Sequence, residues 1–130
     1  MTQQAERLRE APRERFAGRS HRFSLDQALA DLRAEDHPAR GGHRQITLLH
    51  RAPVTQVLFA FDADGSLDQH SAPGLVTIHV LEGRLNVQAD HVENALSAGD
   101  VLILDPGLPH DVRAVDGPAA MLLTVTMQRD

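Results

Sequence analysis

Between Gln45 and Met127 the chain is broken at short, regular intervals by residues that turn a backbone. The breaks are Ala52-Pro53, Ala63-Asp64-Gly65, Ala72-Pro73-Gly74, Glu82-Gly83, Gly99-Asp100, Asp105-Pro106-Gly107 and Asp116-Gly117-Pro118. Proline presets φ, glycine reaches positive φ, and aspartate bonds its own main chain, so each cluster reads as a turn for a stated reason. The segments left between them are Gln45–Arg51, Val54–Asp62, Leu75–Leu81, Arg84–Gln88, Val101–Leu104, Asp111–Ala114 and Met121–Met127, and each reads as a strand. No helical period intervenes, which leaves an all-β antiparallel sandwich or barrel. Within Val76–Leu81, alternation puts Val76, Ile78 and Val80 on one face and Thr77, His79 and Leu81 on the other. Neither face is wholly polar. One therefore lines a barrel, and the other meets a second layer or a second subunit, which makes a homodimer the expected assembly.

Upstream the period changes. Ser24 and Gln27 have capping-box spacing, and Leu25, Ala28, Leu29 and Leu32 fall on one helical face, predicting a short N-terminal helix over about 25–34 that ends before Pro38 and Gly41-Gly42. Residues 1–22 read as a polar extension with a short helix at 3–10, and residues 23–130 as a single barrel domain. At 130 residues the chain is long enough to bury a substantial core.

The absence of certain residues narrows the chemistry. There is no cysteine, so disulfides, thiolate ligands and cysteine nucleophiles are excluded, and a reducing cytoplasmic location is the expectation. All 13 basic residues are arginine, which removes Schiff-base chemistry and a phosphate-loop lysine. Tyrosine and tryptophan are also missing. Net charge is −5, unevenly spread: residues 1–24 carry six arginines and three glutamates, net +3, and residues 25–130 carry seven arginines and 15 acids, net −8. The acidic body argues against a nucleic-acid partner, and no apolar run resembles a signal-peptide core or a membrane span.

The stretch from Gly99 to His110 carries the most specific motif. A Gly-Asp turn leads into Val101–Leu104, then Asp105-Pro106-Gly107-Leu108-Pro109, then His110. With the phrase Val80-Leu81-Glu82-Gly83, this resembles the cupin superfamily, in particular small single-domain bacterial cupins with an RmlC-like jelly roll. The resemblance spans about 54–127. In the second cupin motif Gly99, Gly107 and His110 stand in register, Asp105 stands where the motif has proline, and Ala114 where it has asparagine. In the first motif Gly83 and His70 match, while Ala72 takes the place of the second histidine and Val76 that of the glutamate; with one residue more in the gap, Thr77 takes it. The resemblance implies a double-stranded β-helix, the cupin jelly-roll barrel. It also implies a divalent metal (Fe, Mn, Ni or Zn) held inside by two histidines and a glutamate of the first motif and the histidine of the second. Of those four, this chain keeps His70 and His110.

His70, His110, Ala72, Val76 and Ile78 are therefore the expected pocket residues, with His70 and His110 as an incomplete metal site. A third ligand has candidates in Asp68, Gln69, His43 and His79. His79 is expected on the outer face, His43 and Arg44 in a loop, and His21, His37, His50 and His91 on the surface. Asp111 points away from its neighbour His110, and Asp100 serves a turn. A triad on Ser66 or Ser71 lacks a nucleophile elbow. Three functions remain: small-molecule binding in a mostly apolar barrel with His70 and His110 as polar anchors; a metal-dependent dioxygenase or isomerase with a reduced site; and metal-free acid–base catalysis by His110 on a carbohydrate or keto acid. Whether the chain is an enzyme is left open by the sequence.

Overall fold

The structure, a computed structural model, describes residues 19–36 and 39–128. The helix expected at 3–10 and His37 lie outside the described residues. Helix α1 spans Leu25–Arg33, one residue short of the expectation. Its N-cap is Ser24, whose side-chain oxygen accepts from Gln27 N at 3.2 Å, and Gln27 Nε2 donates to Asp31 Oδ1 at 2.9 Å one turn on. Seven strands follow: β1 His43–Arg51, β2 Val54–Phe61, β3 Ser66–His70, β4 Gly74–Ala89, β5 Val92–Ser97, β6 Val101–Leu104 and β7 His110–Met127.

All strand pairs are antiparallel, and two long strands organise the rest. The second half of β7 lies between β2 and the first half of β4, with β1 and β6 outside them. The first half of β7 lies between β3 and the second half of β4, with β5 outside. Strands β4 and β7 thus run through both sheets of an all-β jelly roll, the double-stranded β-helix.

Two expected breaks prove to be bends inside continuous strands. Glu82 pairs with Ala120 and Arg84 with Val115, so one residue of β4, Gly83, opposes four of β7. The turn chemistry is real, with φ of +73° at Gly83, +59° at Asp116 and +133° at Gly117. It re-aims both strands from one sheet to the other while pairing resumes on each side. A Cβ on Gly83 would collide with the Pro118 carbonyl oxygen, so the crossing leaves room for glycine only. Strands β3 and β5 escape the sequence reading because SLDQH has a single apolar residue and VENALS, mostly exposed, shows no apolar alternation.

Burial follows alternation. Along Gly74–Leu81 the even positions are buried and the odd ones half-buried. Val76, Ile78 and Val80 join Phe59, Phe61 and Met121 in a core inside the barrel. The opposite faces of the same strands form a second cluster, in which Leu58, Ala60 and Ala120 meet Leu29 and Leu32 of α1. Each such leucine contributes about 1.5–3 kcal/mol by leaving water. An ion pair between Arg33 and Glu82, 2.9 Å, ties the helix to β4 but is too exposed to add much.

Candidate functional site

Strands β3 and β7 place His70 directly opposite His110. Cross-strand neighbours come close enough for their side chains to meet, and the ring centroids lie 4.3 Å apart with the planes tilted by 58°. His110 is also paired with Ala89 on its other side, and it is 1% exposed. It donates from Nδ1 to the Leu108 carbonyl oxygen at 3.0 Å, within its own Pro-Gly-Leu-Pro turn. His70 likewise donates from Nδ1 to the Asp68 carbonyl oxygen at 2.8 Å. A carbonyl can only accept, so in both neutral rings the proton sits on Nδ1 and Nε2 keeps a lone pair. His110 Nε2 is buried without a hydrogen-bond partner.

The histidine pair borders a cavity of about 600 Å³. Its walls are largely apolar: Phe59, Leu67, Ala72, Val76, Leu123 and Val125, with Arg40, Gln45, Asp68 and Gln69 among the polar lining. Of the five pocket residues expected from sequence, His70, His110, Ala72 and Val76 line this cavity. Ile78 does not. It lies on the same face as Val76 but one alternation deeper, 0% exposed in the barrel core, where neighbouring side chains close over it.

His43 belongs to the lining, contrary to the loop placement expected for it, because β1 begins two residues earlier than the sequence suggests. Its Nδ1 donates to the Ser66 carbonyl oxygen at 3.0 Å, and its ring stands 5.7 Å from Phe59 and 5.9 Å from Phe61. The Gly41-Gly42 turn that carries it is laced to the β2–β3 turn by Asp62 N to Gly42 O, 2.8 Å, and Ser66 N to Gly41 O, 2.9 Å. A Cβ on Gly42 would sit 2.7 Å from Gly65 Cα, so the rim depends on two glycines in main-chain contact. Two glycines 23 residues apart give no local signal of that contact.

The remaining candidates stand elsewhere. His79 is half-buried on the outward face of β4, opposite Leu122 and Val101. His50 and His91 are exposed, while His21 is half-buried. Asp100 accepts from Ser97 N at 2.8 Å and serves its turn. Asp111 borders a separate, smaller hollow of about 270 Å³ with Asp90 and His91.

Burial holds the His110 imidazole below its usual range, and the facing His70 adds to that. The hydrogen bond to Leu108 O and the neighbouring Asp111 carboxylate oppose the shift without cancelling it.

A divalent metal of the kind the resemblance implies needs three or four protein ligands. Ala72 and Val76 offer no donor atom, and among the described residues no three His, Cys, Asp or Glu side chains converge on a common point. His43 and Asp68 border the cavity without completing such a group. The donor set does not fit that metal site.

The family described as Cupin domain matches residues 57–126. Solved structures with the same fold include a conserved protein of unknown function from Streptococcus pyogenes, with 21% identity over 87% of this chain and 92% of that one, and a TM-score of 0.69. An RmlC-like cupin from Shewanella frigidimarina shares 22% identity over 85% and 95%, with a TM-score of 0.67. KdgF from Halomonas sp. shares 19% over 72% and 86%, with a TM-score of 0.63. At these identities the likeness is one of fold. No curated protein is significantly similar to the chain. No helix among the described residues is long and apolar enough to cross a membrane.

Proposed function

The chain belongs to the cupin domain family, and from that premise we propose that it binds a small, largely apolar molecule in the barrel cavity, with His70 and His110 as the polar anchors. One observation carries the reading. At the motif positions where metal-binding cupins carry ligands, Ala72 and Val76 stand in the wall of a cavity of about 600 Å³, a volume suited to a small organic ligand. The alternative is a metal-dependent dioxygenase or isomerase built on His70 and His110. It draws on the same two Nε2 lone pairs and needs further ligands from outside the described residues or from substrate.

Elemental analysis separates the two. Protein purified without a histidine tag from cells grown with Fe, Mn, Ni and Zn should carry well under one equivalent of any of them. Near-stoichiometric metal that disappears in both His70→Ala and His110→Ala would overturn the binding reading in favour of the metal enzyme.

We propose a homodimer as well. Val101 and Ile103 on edge strand β6 are 53% and 61% exposed, and they sit opposite His79 and Thr77 on the outward face of β4. Isolated edge strands with apolar side chains invite a partner. Leu81, part of the sequence argument for this interface, is instead packed against the cluster beneath α1.

A further inference from the structure

Three histidines border the cavity, and the main chain orients all three in the same sense. His43, His70 and His110 donate from Nδ1 to Ser66 O, Asp68 O and Leu108 O at 3.0, 2.8 and 3.0 Å. Each neutral ring therefore offers an acceptor at Nε2 and no second donor. At His110 that acceptor is buried and unpaired. The ring facing it, His70, offers a lone pair of its own, so the two cannot satisfy each other. A buried acceptor left without a donor costs about 1–3 kcal/mol.

We infer that the cavity selects an uncharged molecule with an apolar body and a hydroxyl group, the O–H being donated to His110 Nε2. This rests on the ligand-binding reading above and specifies its ligand. An ether, carbonyl or carboxylate oxygen would set lone pair against lone pair. An ammonium group would bring an unneutralised charge to a residue 1% exposed, which costs far more than one hydrogen bond returns. A hydroxyl provides the missing proton without charge, while Phe59, Leu67, Leu123 and Val125 take the apolar body. His110 Nε2 has almost no surface open to solvent. For a ligand in the cavity to reach it, the half-buried His70 ring has to turn aside. His70 is the more exposed of the two rings and ends β3 just after an irregularity in the β3–β7 pairing.

The test uses three probes of one shape: 1-naphthol, 1-methoxynaphthalene and naphthalene. The chain has no tryptophan and no tyrosine, so naphthalene fluorescence is read free of protein emission. Naphthol should bind the full-length chain about 10- to 100-fold more tightly than the other two, the range a restored buried hydrogen bond allows. Two-bond ¹H–¹⁵N spectra should show the Nδ1–H tautomer at His110, with its Nε2 resonance moving on addition of naphthol and not of methoxynaphthalene. His110→Phe should abolish the preference and retain naphthalene binding. Should that variant fail to fold, the resonance of the unaltered protein decides. Equal binding of the three probes, or naphthol binding with an unmoved His110 Nε2, overturns the hydroxyl inference and leaves cavity binding standing. Binding by none of the three overturns both.

Discussion

The two apolar clusters of this barrel are built from opposite faces of the same strands. On β2, Leu58 and Ala60 face outward while Phe59 and Phe61 face inward; on β7, Ala120 faces outward while Ala119 and Met121 face inward. The outer cluster is finished by Leu29 and Leu32 of α1. The inner cluster is left unfinished at one end, where it gives way to a cavity and to His110, the buried polar residue among the described residues. Sealed apolar packing holds a fold together, while a core left open with an unsatisfied polar atom lowers stability and makes room for a ligand. The outer cluster serves the first purpose and the cavity end the second.

That contrast can be broken most directly at the sealed side. Leu32→Ala should lower unfolding free energy by about 2–5 kcal/mol in urea titrations, since the helix has no other fully buried side chain but Leu29 to hold it. Its effect on probe binding should be confined to what unfolding explains. Next comes the rim. Gly65→Ala drives a Cβ into the Gly42 carbonyl oxygen and should cost about 1–3 kcal/mol. It should also weaken probe binding in the folded protein, because Gly41 and His43 line the cavity.

At the open end, His110→Phe should leave stability within about 1 kcal/mol of the parent, since it removes an unsatisfied acceptor along with one hydrogen bond. A loss as large as that of Leu32→Ala would sink the contrast. The same variant fixes the pH dependence. The folded His110 has a lowered pKa, so the unfolded chain takes up its proton first as pH falls. This contribution to stability is complete above the unfolded value of about 6.5 and declines as pH drops from there toward the folded value, by no more than about 1.4 kcal/mol per pH unit. The slope assigned to this group should vanish in His110→Phe. The smallest effect on folding is expected at β6. Ile103→Lys should shift stability by no more than about 0.5 kcal/mol and convert the proposed dimer to monomer by light scattering. A parent protein already monomeric at micromolar concentration would refute the dimer.

The barrel was legible because its signals are local. Turn residues recur at short spacing, Val76–Leu81 alternates, and Ser24 with Gln27 marks the helix start. The cupin resemblance implied that His70 and His110 share a cavity, but not that they stand opposite each other on paired strands, because 66–70 does not read as a strand. What stayed hidden depends on distant parts of the chain. The polar SLDQH and VENALS segments pair as strands because β7 and β4 offer them edges. Gly83 and Asp116-Gly117-Pro118 look like hairpin turns, and only their mutual opposition turns them into a shared bend. His43 reaches the cavity because its glycine turn is pressed against Gly65, a contact between segments that carry no mark of each other.

The hydrogen bonds from the three Nδ1 atoms to Ser66, Asp68 and Leu108 bear on how such a site changes over generations. Each acceptor is a peptide carbonyl, which every residue type provides. The side chains at 66, 68 and 108 can therefore be exchanged without altering which ring nitrogen is bare. Apolar wall residues can drift in size to suit a different ligand body while the lone pairs keep their direction. The polar end of the cavity is inherited with the backbone, and the shape of the rest is free to be selected.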